Sequence, residues 1–389
     1  MQLYCVMRAP LARLCLGSLL PVAVLAADWE TKALLVADAT LAGPDREPPP
    51  ALEAGESHFD PVRGSLAFGG AEFGMSALRP VGQGFVEVIA VAHVHRHPGE
   101  PTETELEEVC AEWSEGALRL RAGVFFAPLG ATNLRHAHTW SFANAPLLHG
   151  RFLGESGLRN PGVQLGWAGG GVTWLLAIQR ATGDTAASFR SGHEGEDYLG
   201  RLHSAANGSG PLVTLRRSRA YELGEGQSAQ LGLSVATAQN GSGESARTWL
   251  AALDVDWKRE RAAKDGWDSV ELELLVRSFE ASAGVNAASA PVAAETVSDA
   301  AVALSLISTL GADWTASLRM ERAVPLGRAD YEALDRDPLR ETRTRISPTL
   351  AWEAAPGLLL RLQYDHDRSP AFGTEDALWL VAQWQIGGH

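Results

Sequence analysis

Cysteine is almost missing from this chain, with three in 389 residues. Cys5 and Cys15 fall near the start, which leaves Cys110 alone in the remainder and excludes an intramolecular disulfide framework. Lysine is confined to Lys32, Lys258 and Lys264. Basic residues number 33 against 47 acids, a net charge of −14, which excludes nucleic acid, a partner that requires a basic footprint. Long apolar runs are missing too, apart from "LCLGSLLPVAVLAA", which follows Arg8 and Arg13 and closes on Val24-Leu25-Ala26. That run is shorter than the roughly 18–20 residues of a spanning helix and reads as a secretory signal peptide over residues 1–26. Its removal leaves 31 basic residues against 47 acids, a net charge of −16, on an exported chain 27–389 with no transmembrane helix. Neither H-E-x-x-H nor G-x-S-x-G occurs, and His193 and His203 stand in glycine-rich stretches, so an enzyme is not expected.

What is present is a period of two. "ALWLVAQWQIGGH" sets Leu378, Leu380, Ala382, Trp384 and Ile386 on one face and Gln383 and Gln385 on the other. "TWLAALDVDWK" sets Trp249, Ala251, Leu253, Val255 and Trp257 against Asp254, Asp256 and Lys258. "DSVELELLVR", "DWTASLRMER", "TRISPTLAWE" and "LLLRLQYDHD" repeat the alternation. A soluble sandwich alternates as well, but its strands usually run to about 5–6 residues. These segments reach about 9–12, the length of a tilted strand crossing hydrocarbon. Trp113, Trp167, Trp352 and Trp384 lie near strand ends, and Trp249 and Trp257 bound a single face, as in the aromatic girdles of a membrane barrel.

The connections alternate between tight turns ("SEGA", "AGGG", "LGEGQ", "EAAPG") and long polar loops. Long loops on one rim and short turns on the other predict an all-β, transmembrane antiparallel barrel with both termini at the short-turn rim. The strand number is then even: about 16, with 14 and 18 also compatible because strands 1, 2 and 12 are weakly marked.

The third long loop, 127–161, has no period of two and is too long for an ordinary connection. The stretch "LRAGVFFAPLGATNLRHAHTWSFANAPLLHGRFLGESGLRNPGVQLGW" resembles the core signature of Gram-negative outer-membrane porins related to the phosphate-selective porin O/P group. Gly123, Phe125, Gly130, Asn133, His136, His138, Trp140, Phe142, Pro146, Gly154, Glu155 and Gly157 carry the likeness, and Leu129 departs from a phenylalanine. The terminal His389 departs from the Phe or Trp that ends many such barrels. The resemblance implies an outer-membrane channel for passive or facilitated diffusion of small hydrophilic solutes or ions, without a cofactor, whose third loop folds inward. Asn133, Arg135, His136, His138, Trp140, Arg151 and Glu155 would form the constriction. The partners implied are outer-membrane lipid and lipopolysaccharide, the barrel insertion machinery, a small solute and further copies in a homotrimer. Phosphate preference is not implied, since a lysine-rich pore is lacking. A barrel with a structural or adhesive role remains the alternative.

Lumen-facing candidates follow from the alternation. "VEVIAVAHVHRHP" turns Val86, Val88, Ala90, Ala92 and Val94 outward and leaves His93, His95 and His97 on the other face. With His136 and His138 these imidazoles could ligate Zn²⁺ or another divalent metal; they read equally well as polar lumen residues paired with the acids of "GEPTETELEE". The turn "SEGA" sets Glu112 opposite Arg119 and Cys110 opposite Arg121, with Glu108 diagonal to Arg121. Arg343, Arg345 and Arg361 share inward faces and could attract anions, whereas Asp254, Asp256, Glu271 and Glu273 carry the opposite charge.

Overall fold

A computed structural model of the chain describes residues 30–43, 66–95, 103–154, 157–182, 184–189, 210–243, 245–261, 266–285, 291–327, 342–370 and 373–387. The expected signal peptide, His97 and Glu155 lie outside the described residues. The alternating segments form sixteen antiparallel strands closed into one barrel, in which the last strand pairs with the first. They are β1 (Glu30–Gly43), β2 (Leu66–Val81), β3 (Gly84–His95), β4 (Glu103–Glu115), β5 (Leu118–Phe126), β6 (Arg159–Gly169), β7 (Val172–Arg180) and β8 (Pro211–Gly224). The second half comprises β9 (Gln227–Gln239), β10 (Arg247–Arg261), β11 (Gly266–Ala281), β12 (Glu295–Thr309), β13 (Trp314–Leu326), β14 (Arg343–Ala355), β15 (Leu358–Ser369) and β16 (Gly373–Gly387).

Closure leaves no strand edge unpaired, the condition for a sheet to sit in hydrocarbon. The outer face is apolar. Leu378, Leu380, Trp384 and Ile386 on β16, and Val163, Leu165 and Trp167 on β6, are each about half exposed. The inner positions between them are covered: on β14, Arg343, Arg345, Ser347, Thr349 and Ala351 are buried while their neighbours are not. Trp113, Trp167, Trp174, Trp257, Trp314, Trp352 and Trp384 all sit toward the short-turn ends of their strands, and the rings of Trp314 and Trp352 stack at 5.5 Å. This is the amphipathic ring expected at a lipid–water boundary.

Two sequence expectations need correction. The β4–β5 turn is only two residues, with Gly116 at φ +57° in its first position, so Glu115 pairs with Leu118. That moves the register by two. Glu112 faces Arg121, not Arg119, and Cys110 faces Gly123. Faces are preserved because the shift is even. The third long loop also ends earlier, since Arg159, Asn160 and Pro161 already belong to β6, with Pro161 exposed on its outer face.

Candidate functional site

The chain leaves the wall at Ala127, crosses the inside of the barrel and returns at Leu158. Its backbone makes short helical turns at Thr132–Leu134, Ala137–Thr139 and His149–Leu153. Asn133, fully buried, fastens the two ends together. Its Nδ2 donates to the carbonyls of Ala127 (2.8 Å) and Leu158 (3.0 Å), and its Oδ1 accepts from Leu158 N–H at 2.9 Å. An amide does this because it offers donor and acceptor on one planar group. Asn133 is therefore a staple of the loop and not a pore-facing polar group.

Each flank of the loop is tied to a different part of the wall. Gly130 N–H donates to Ser234 Oγ at 2.9 Å, and Thr132 donates to Glu273 from both N–H (3.0 Å) and Oγ1 (2.5 Å). Gly130 sits at φ +70°, and a Cβ there would collide with Glu273 Oε1. Arg135 reaches Glu271 at 2.8 Å and Asp256 at 3.1 Å. Burial opposes its charge, but those carboxylates outweigh burial and raise its pKa. Arg135, Thr132, Ser141, Asp256, Glu271 and Ser305 contribute to the lining of a cleft under the loop, toward the short-turn side.

Farther along, Arg151 and Arg277 share the carboxylate of Asp299, at 3.0 and 2.8 Å. Arg319 donates to the carbonyl of Asn144 at 2.8 Å and lies over the Phe142 ring at 4.5 Å. Leu147 N–H donates to Glu321 at 2.6 Å, and Asn144 donates to Asp365 at 2.7 Å. Arg361 donates to the carbonyls of Trp140 (2.9 Å) and Phe142 (3.1 Å). Arg343 pairs with Asp367, while Arg345 lies 3.3 Å from Glu321 and 3.7 Å from Asp367. Arg343, Arg345 and Arg361 do face inward and are buried; Arg343 and Arg345 lie against acids, and Arg361 is held by loop carbonyls. Trp140 packs edge-on against His149 at 5.5 Å, and His149 is almost wholly buried. Burial alone lowers the His149 pKa to about 4, so the ring is neutral.

A third cluster joins the loop to β2 and β4. His136 Nδ1 lies 3.2 Å from Glu107 Oε2 and 3.9 Å from Glu72 Oε1, while its Nε2 lies 3.5 Å from Glu108 Oε2. His138 Nδ1 lies 2.8 Å from Glu72 Oε2, and the rings of His136 and His138 stack at 5.8 Å. Burial disfavours a charged His136, yet the hydrogen bonds to Glu107 and Glu108 and the surrounding negative charge push its pKa up to about 10. Arg121 donates to Glu112 at 2.9 Å and to Glu108 at 3.2 Å, whereas Arg119 is exposed at the short-turn rim beside Ser114. His93 is in register with Glu72 and Glu105, and His95 with Gly70 and Glu103.

Glu72 occupies an inward position that the alternation of "GAEFGMSALRP" already marks. Glu107 could not be found that way. A register shift between Val91 and Ala92 leaves Glu107 unpaired between Leu106 and Glu108, so two adjacent carboxylates turn inward together. A second inward segment, Asp184–Phe189, was also missed. Ser188 Oγ donates to the carbonyl of Phe152 at 2.5 Å, and Phe189, Phe152, Leu148 and Leu153 pack on inward Ala236, Ala238, Ala252 and Ala301. The run of small inward residues was the available signal: it leaves room for something to be packed there.

No family model matches the chain. An uncharacterised protein of Aquifex aeolicus (strain VF5) is 38% identical over 72 residues, which is 18% of this chain and 15% of that protein. Solved structures share the fold at low identity. The outer membrane channel DcaP of Acinetobacter baumannii matches with a TM-score of 0.61 at 10% identity, covering 92% of this chain and 97% of that one. An anion-selective porin from Comamonas acidovorans matches at 0.57 and 9% identity, over 92% of this chain and all (100%) of that one. The trimer form of OmpT, an outer membrane protein of Vibrio cholerae, matches at 0.54 and 7% identity, over 92% and 99%. At these identities the shared property is the fold: a closed, all-β, sixteen-stranded barrel of the outer-membrane porin architecture.

Proposed function

We propose that this chain is a porin-like channel of the Gram-negative outer membrane, passing small hydrophilic solutes or ions by diffusion through a lumen narrowed by loop 127–158. The observation that carries the reading is the loop itself. It is fastened across the inside of a closed, apolar-walled barrel by charged groups, yet a cleft of mixed lining, with Arg135, Asp256 and Glu271 on its border, is left beside it. The likeness in fold to channels and porins supports it. The resemblance to the phosphate-selective porin O/P group bears on the inward loop and not on phosphate, because lysine is nearly absent. Outer-membrane lipid, lipopolysaccharide and the barrel insertion machinery are the partners this location requires. A homotrimer is the assembly favoured by the trimeric neighbour.

Single-channel recording in planar bilayers tests this. The refolded chain should give small, well-resolved conductance steps. The double variant Asn144→Ala/Arg361→Ala, which removes the loop's ties to Asp365 and Arg361 on β15, should conduct at least about twice as much. Absence of current from both proteins would overturn the channel and favour a barrel with a structural role.

A further inference from the structure

Glu72, Glu107 and His136 offer one ligand atom each, all within 4.8 Å of one another. We propose that they form a binding site for a divalent transition-metal cation of the Zn²⁺ class, joining the constriction loop to the barrel wall. Of the histidines His93, His95, His97, His136 and His138 expected to hold a metal, His136 belongs to this group; His97 lies outside the described residues. Two carboxylates from neighbouring parts of the wall meet one imidazole from the loop.

Geometry outside the three ligands prepares them for a metal. Glu108 lies 3.5 Å from His136 Nε2, and an Nε2–H donated to it leaves Nδ1, which faces Glu107 and Glu72, as the nitrogen that gives up its proton to an incoming cation. His138 occupies Glu72 Oε2 at 2.8 Å and thereby directs the second oxygen, Oε1, toward His136. Glu72 Oε1 and Glu107 Oε1 are both buried with no hydrogen-bond partner. A buried carboxylate oxygen left in that state is unfavourable, and a bound cation supplies the missing partner. The bulge in β4 is what makes this arrangement available, because it adds Glu107 to the inward face without removing Glu108.

The donor set selects the ion. One imidazole nitrogen with two carboxylates suits Zn²⁺, Co²⁺ or Mn²⁺. Ca²⁺ takes 6–8 oxygens, and Mg²⁺ prefers all-oxygen octahedral shells, so both fit poorly. Three protein ligands leave a coordination position for water, which makes the site exchangeable and not a closed structural centre. An ion held here would pin the loop to β2 and β4, whereas Arg319 and Arg361 hold it from β13 and β15. That consequence for permeation rests on the channel reading, whereas the binding itself does not.

The test is made on the folded full-length barrel in detergent, stripped with a chelator and titrated with Zn²⁺ by calorimetry and with Co²⁺ by visible absorption. One site of micromolar or tighter Kd is expected, with a Co²⁺ spectrum of four- or five-coordinate type and no comparable response to Mg²⁺. Glu107→Gln and His136→Gln should each weaken binding at least tenfold, and His138→Gln by about tenfold through loss of orientation. His366→Gln, at an exposed site paired with Asp376, should leave it unchanged. If the first two variants fail to fold, the wild-type Co²⁺ spectrum decides. Binding no tighter than millimolar, a six-coordinate aqua-like spectrum, or equal affinity in folded Glu107→Gln would overturn the site. Conductance plays no part in these readouts, so a chain that carries no current can still bind the ion, and the reverse.

Discussion

Individual side chains inside this barrel are chosen for what they pair with. His149 is the clearest case, because among the described residues burial alone acts on its charge. It is buried beside Trp140, its Nδ1 has no hydrogen-bond partner, and its pKa falls to about 4. The unfolded chain would titrate near 6.5. Between about pH 6.5 and 4 the unfolded state therefore binds a proton that the folded state refuses, so stability falls as pH falls through that window. Hydrogen exchange of residues 145–154 should accelerate from pH 7 to pH 4.5, and His149→Phe should flatten the dependence. An unchanged exchange rate across that range would show that burial does not control this ring. His136, one turn earlier in the loop, behaves oppositely because three carboxylates surround it. The same residue type thus ends near 4 or near 10, and the difference lies wholly in tertiary neighbours.

Among elements, the loop and the strands are held by different means. The strands are held by ladders; the loop depends on side-chain hydrogen bonds such as those of Asn133. Asn133→Ala removes three hydrogen bonds and leaves buried polar groups of Leu158 and Ala127 under-satisfied. A local loss of about 2–3 kcal/mol is expected. Amide exchange over 127–154 should then quicken by one to two orders of magnitude, while exchange in β9 to β16 stays as it was. The candidate Asn133 was legible from sequence through a family likeness, but its job was not: a polar residue near histidines suggested a pore contact, and only the return of Leu158 to its side shows a staple. Glu107 was illegible for another reason. Period-two reading assumes unbroken pairing, and one bulge reverses the face of every residue beyond it.

At the scale of the whole molecule, sixteen pairings close the wall without help from the lumen. Unheated protein should accordingly run ahead of heated protein in detergent gels, and Asn133→Ala should keep that behaviour while altering conductance. Loss of the fast-migrating form in this variant would mean that loop and barrel fold as one unit. The inner charges point the same way. Arg277–Asp299, Arg216–Asp254 and Arg343–Asp367 each bridge inward positions, and Arg151 and Arg319 carry those networks into the loop. Buried pairs of this kind contribute little net stability but are costly to break, which makes them a means of specifying one loop position among several.

The barrel itself was determined by sequence alone. Alternation in β10, β11 and β13 to β16, tryptophans near the turns and the long–short rhythm of the loops are local properties, and lipid on one side with polar lumen on the other leaves a closed sheet as the way to satisfy them. The content of the lumen was decided by tertiary structure. Which acid meets which arginine depends on a turn length at Gly116, on a bulge at Glu107 and on where a loop lands after crossing the barrel, as at Asn144 and Gln363. The Asn144–Gln363 contact joins residues 219 positions apart, and no local period encodes it. His136 and His138 open the loop as a pair in the sequence; folding divides them between Glu107 and Glu72.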